Sequence, residues 1–111
     1  MDEFIEYLST QIEAGRKETA RLEAQGRQDD ANFAKVRTNI YKVCRTVTNA
    51  LKDRPGAGAE AVRAQLERFE ASWNDALEKA RTHGDAKGVV VEETKLQALE
   101  DAIRHFSEVE K

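Results

Sequence analysis

Few side chains in this chain of 111 residues have the type and spacing that chemistry requires. The clearest set is Lys35, Thr38, Lys42, Arg45, Asn49 and Lys52, which recur at alternating intervals of three and four and so form one stripe along a helix. Lys35, Lys42, Arg45 and Lys52 give that stripe four positive charges, a footprint for phosphate backbones or for an acidic protein surface. The plainer expectation is a solvated face opposite the core, balanced by acidic helices of the same or another subunit. No Gly-rich loop and no interleaved aromatic residue accompanies the stripe, and a net charge of −3 lacks the basic excess of nucleic-acid-binding domains.

The remaining candidates are single residues or pairs. Asp101 and His105 stand four apart and would share a helix face, where a surface hydrogen bond or ion pair is expected. A di-metal bundle needs Glu-x-x-His elements from two helices, and the chain contains none. His83 lies at an expected helix C-terminus, where the helix dipole accounts for it. Cys44 reads as a small buried apolar residue. Lys42 and Arg45 beside it would lower its pKa and leave a redox-sensing thiol as the remote alternative. Trp73 falls in an apolar seam and is expected in the core, its indole N–H seeking an acceptor. Glu92-Glu93 and Glu100-Asp101 are sequence neighbours and diverge on a helix, which makes them poor acid–base pairs. With no phosphate loop, nucleophile elbow or zinc signature, the expectation is no enzyme, no cofactor and no metal.

The elements that would carry these residues are legible from apolar spacing. Ile5, Leu8, Ile12, Gly15, Thr19, Leu22 and Gly26 form one 3,4 series, and Phe33, Val36, Ile40, Val43, Val47 and Ala50 a second. Val62, Leu66, Phe69, Trp73, Ala76 and Ala80 form a third. Each is the seam of a helix packed on other helices. The first helix is expected over 2–25 with Gly26 as its stop, and the second after Asp29-Asp30 to about Lys52. The break at Asp53–Gly58 contains Pro55 and two glycines, and the third helix follows over 59–82 to Gly84. The small residues of the first seam would fit beside Phe69 or Trp73. The second helix, widened by Cys44 and Leu51, is expected to be the most central. Val89-Val90-Val91 favours an extended lead-in. Thr94 with Gln97 matches a capping box, which places a shorter fourth helix at about 92–109.

The fold class is therefore all-α: an antiparallel bundle of three long helices plus a shorter fourth C-terminal helix, one domain over 1–111. Charged residues at 35% against aromatics at 6% favour long helices over sheets. One cysteine cannot form an intrachain disulfide, the acidic Met1-Asp2-Glu3 start lacks a signal-peptide pattern, and no run approaches the ~20 apolar residues of a membrane span. A cytoplasmic protein with no membrane partner follows. Charge is uneven, with residues 27–54 at net +4 and residues 1–26 and 84–111 each at −3. The function expected is protein–protein interaction, either self-association as a homodimer or an adaptor or regulatory role. The alternative is a nucleic-acid-associated regulatory module using the basic stripe.

Overall fold

The structure, a computed structural model, describes residues 1–110. Among them are four helices and no strand: α1 (Asp2–Ala24), α2 (Gln28–Leu51), α3 (Gly58–Thr82) and α4 (Ala86–Val109). None of these helices is long and apolar enough to cross a membrane. All three turns contain a glycine with left-handed backbone, Gly26 at φ +73°, Gly56 at φ +69° and Gly84 at φ +68°, and the first and last are closed alike. In these two, the next residue's N–H reaches back across the last helical turn: Arg27 to the Leu22 carbonyl and Asp85 to the Ala80 carbonyl, both at 2.9 Å. This closes the free carbonyls at a helix end and needs a residue without Cβ. α2 begins one residue before the Asp29-Asp30 pair, so the two carboxylates complement the dipole of the first turn instead of capping it.

α4 corrects the expected fourth helix. It starts at Ala86, not near 92, and at 24 residues it matches its neighbours in length. The Asp85 side chain caps it, accepting from the Gly88 N–H at 2.9 Å. Val89–Val91 are consequently helical, and the Thr94 hydroxyl donates within the helix to the Val90 carbonyl at 2.8 Å instead of capping anything. A three-valine β preference is worth only tenths of a kcal/mol per residue, about the size of one cap, and packing of Val89 and Val91 adds to the helical side.

α1 packs on α2 and α3 on α4, with α2 also meeting α4 and, less extensively, α3. α1 and α3 do not meet among the described residues, so α2 and α4 form the middle and α1 and α3 the flanks. The result is a slab of 46 × 35 × 20 Å. α2 touches all three other helices, as its broad apolar face implies. The main core lies where the first turns of α1 and α3 meet the last turns of α2 and α4. There Phe4, Leu8, Cys44, Val62, Leu99, Ala102 and Phe106 are fully buried, with Leu66 nearly so. Phe4 and Phe106 meet edge to face at 5.1 Å, and the Arg63 guanidinium lies 5.0 Å over the Phe106 ring. The Met1 ammonium pairs with Glu110 at 2.8 Å on the rim. Leu22, Ala31 and Ala34 make a smaller cluster at the opposite end.

The seams are used differently from their spacing. On α1, Leu8, Ile12, Thr19 and Leu22 are buried as expected, and Phe4 is buried where Ile5 is only half so. On α2, Ile40 alone of the 3,4 series is buried, and Ala50 is exposed. The buried row is instead Ala31, Ala34, Thr38, Tyr41, Cys44 and Thr48. The cause is Gly15, which faces Thr38: a Cβ at Gly15 would stand 3.1 Å from the Thr38 Cβ and closer still to its hydroxyl. Small residues on α1 thus meet small residues on α2, not Phe69 or Trp73, and the two helices approach closely along that line. On α3, Val62 and Leu66 are buried, but Phe69, Trp73, Ala76 and Ala80 are half-buried and Leu77 takes the inner place.

Candidate functional site

The basic stripe on α2 does not remain one solvent face. Thr38 is buried in the α1–α2 contact and donates to the Ala34 carbonyl at 2.8 Å. Lys35 reaches across to Glu23 of α1 at 3.2 Å, and Arg37, on another face of α2, approaches Glu18 at 4.0 Å. Arg45 is half-buried, its guanidinium donating to the Ser9 hydroxyl at 3.4 Å. Lys52 is half-buried at the C-cap of α2. Lys42 is exposed, with no carboxylate partner among the described residues.

Lys35 and Lys42 line one side of an open groove of about 470 Å³ between α1 and α2, with Arg16 and Glu23 opposite and Thr19 and Thr38 at its floor. Arg16 is held by Glu13 through two hydrogen bonds at 2.6 and 3.1 Å. That guanidinium lowers the Glu13 pKa, chiefly by its hydrogen bond, and Glu13 in turn raises the Arg16 pKa. The groove therefore presents cations whose field is largely answered by carboxylates of α1, and Lys42 stands out as its unpaired charge.

Asp101 and His105 do not bond to each other. The Asp101 carboxylate accepts from Arg104 and, at 3.5 Å, from the Tyr41 hydroxyl. His105 stacks flat on Tyr7, with centroids 3.8 Å apart and an interplanar angle of 7°, while Tyr41 meets Tyr7 edge-on at 6.3 Å. Burial raises the pKa of both tyrosines, and the Asp101 charge adds to it, so both phenols stay protonated through the neutral range. The group is a packed joint between α1, α2 and α4. His83 behaves as the dipole reading expects, its Nδ1 lying 2.7 Å from the Lys79 carbonyl at the end of α3.

Cys44 is fully buried, and desolvation pushes its thiol up from 9.0 to about 12. Cys44 is thus the small buried residue its position implied, and the remote alternative of a thiol activated by Lys42 and Arg45 has no support, since desolvation dominates. Trp73 is half-buried, stacked on Phe69 at 5.2 Å, with the Lys95 ammonium 4.8 Å from its ring. Among the described residues, no group of three or more His, Cys, Asp or Glu side chains could hold a metal ion.

The residues that sequence reasoning misplaced are on the flank of α2. Phe33, Val36, Val43 and Val47 are half-buried and belong to neither buried cluster, and Val36, Val43 and Val47 are not among the residues packed against the main core, as Leu51 and Phe69 are. Val36, Val43 and Val47 stand seven and four apart, one straight row on the helix. The signal that could have found them is Gly15 and Thr19, since small residues on α1 call for the Ala31–Ala34–Thr38 face of α2 and so turn the valines away. Comparison with protein-family models, with curated proteins and with solved structures finds no match to this chain.

Proposed function

We propose that this protein is a non-catalytic helical interaction module that binds a protein partner through the outer flank of α2. The observation that carries this reading is the row Val36, Val43 and Val47, a strict apolar seam that stands outside the buried core. Apolar residues at helical spacing on an outer flank serve to receive another helix. A reducing, cytoplasmic compartment suits the single buried thiol. Nucleic-acid binding along Lys35, Lys42, Arg45 and Lys52 has less support, because Lys35 and Arg45 are engaged by α1.

The test is a photo-crosslinking residue placed at position 43, with position 13 on the outer face of α1 as control. Irradiation inside the producing cell should yield a protein adduct from position 43 and none from position 13. No adduct from position 43, or equal adducts from both, removes the reading.

A further inference from the structure

We infer that the groove between α1 and α2 binds a small phosphate monoester, its phosphate held by Lys42 and Lys35 and its carbon group laid on the floor of Thr19, Ala20 and Thr38. This goes beyond the proposed interaction role, because the groove lies about a quarter-turn round α2 from Val36, Val43 and Val47. Three observations carry it.

The first is what the fold does to the basic stripe. In a line, Lys35, Lys42, Arg45 and Lys52 would follow a polymer of phosphates. In the structure Arg45 turns to Ser9 and Lys52 is half-buried at the C-cap, so the line is cut to Lys35 and Lys42. These two stand two helical turns, about 10 Å, apart. Gly15 faces Thr38, midway between them, so Arg16 enters from the opposite wall at the same level. Three cations around a groove of about 470 Å³ suit a compact anion, and small-molecule sites occupy ~300–1,000 Å³.

The second is the kind of charge left free. The lining sets Arg16, Lys35 and Lys42 against one carboxylate, Glu23. Even with Glu13 counted beside Arg16, the charge of Lys42 is left over. The guanidinium fork of Arg16, which would suit a carboxylate, is already filled by both oxygens of Glu13. What stays free is an ammonium, a point charge with three donors that serves phosphate well. Lys35 holds Glu23 at 3.2 Å, an oxyanion already seated at one end of the groove. That pair is exposed and therefore weak, so a dianion draws Lys35 away from it.

The third is the floor. The Thr19 hydroxyl donates to the Gly15 carbonyl and the Thr38 hydroxyl to the Ala34 carbonyl, each at 2.8 Å. The floor therefore has no hydroxyl proton to offer an anion, and Ala20 adds only a methyl group. Donors stand on the walls, from Lys35, Lys42 and the Asn39 amide, with carbon beneath them. That division fits an anion carrying a small carbon group better than free phosphate.

The experiment is titration of the full chain at low salt, followed by the NMR shifts of its amides. Phenyl phosphate should shift the amides of Thr19 to Glu23 and of Lys35 to Lys42 saturably. Benzoate, which keeps the ring, and inorganic phosphate, which lacks it, should both bind more weakly. Lys42→Ala should weaken phenyl phosphate by about three- to fivefold, and Glu23→Gln, which frees Lys35, should tighten it by a similar factor. Lys17→Ala removes the same charge from α1 outside the groove and should change nothing. All three side chains are exposed, so the fold is spared.

Absence of a saturable shift with phenyl phosphate overturns the inference, as does a loss from Lys17→Ala equal to that from Lys42→Ala. Benzoate binding as tightly as phenyl phosphate removes the phosphate, and inorganic phosphate doing so removes the carbon group. A single-stranded oligonucleotide that binds more tightly, with shifts reaching Arg45 and Lys52, returns the stripe to a polymer and sinks the compact ligand.

Discussion

Gly15 has more influence than its size suggests. Replacing it by alanine adds helix propensity worth about 1 kcal/mol, but it drives a methyl group into Thr38. Overpacking of a close contact costs about 1–3 kcal/mol, so Gly15→Ala should lower unfolding stability in urea titration, by up to about 2 kcal/mol. Thr38→Ala in the same chain should recover part of that loss. At Cys44 the effect is one of pH. Its thiol titrates near 9.0 when unfolded and near 12 when folded, so above pH 9 the unfolded chain releases a proton that the folded chain keeps. Stability is therefore full below pH 9 and falls as pH rises towards 12, and the raised phenols of Tyr7 and Tyr41 act in the same direction above pH 10. Denaturation midpoints measured from pH 7 to 11 should decline only in the upper half of that range. Cys44 should react with a thiol reagent only at the rate of unfolding.

At the scale of elements, the helix ends divide into those written locally and those that depend on partners. Gly26, Pro55 and Gly84 interrupt the chain by their own backbone chemistry, and the three turns fall where those residues stand. The start of α4 is a contest between the β preference of Val89–Val91 and the Asp85 cap, and a pattern read along the chain cannot weigh the two. Asp85→Ala should cost about 1 kcal/mol and speed amide exchange at Val89–Val91 while leaving the turns around Phe106 protected. The identity of the core row on α2 was hidden for a related reason. Two apolar arcs share that helix, and the choice between them is made by Gly15 and Thr19 on α1, not by anything in α2. The charged stripe was legible as charge, but not the reach of Glu23 to Lys35 or of Arg45 to Ser9, because both depend on how α1 is rotated against α2.

For the whole molecule, a thickness of 20 Å means that much of each helix lies near a surface. A slab with α2 and α4 in the middle has less interior per residue than a square four-helix bundle, and the core is correspondingly split into a large cluster and a small one.

The glycine turns at Gly26 and Gly84 have a consequence for kinetics. They join helices that are each other's main partners, so most contacts form between residues close in sequence. Closing such short loops costs little chain entropy, and topologies rich in local contacts fold in microseconds to milliseconds. The chain should therefore assemble as two hairpins, α1 with α2 and α3 with α4, each able to nucleate alone. The late event is then the docking of α2 on α4, which brings Cys44 and Leu99 into one core.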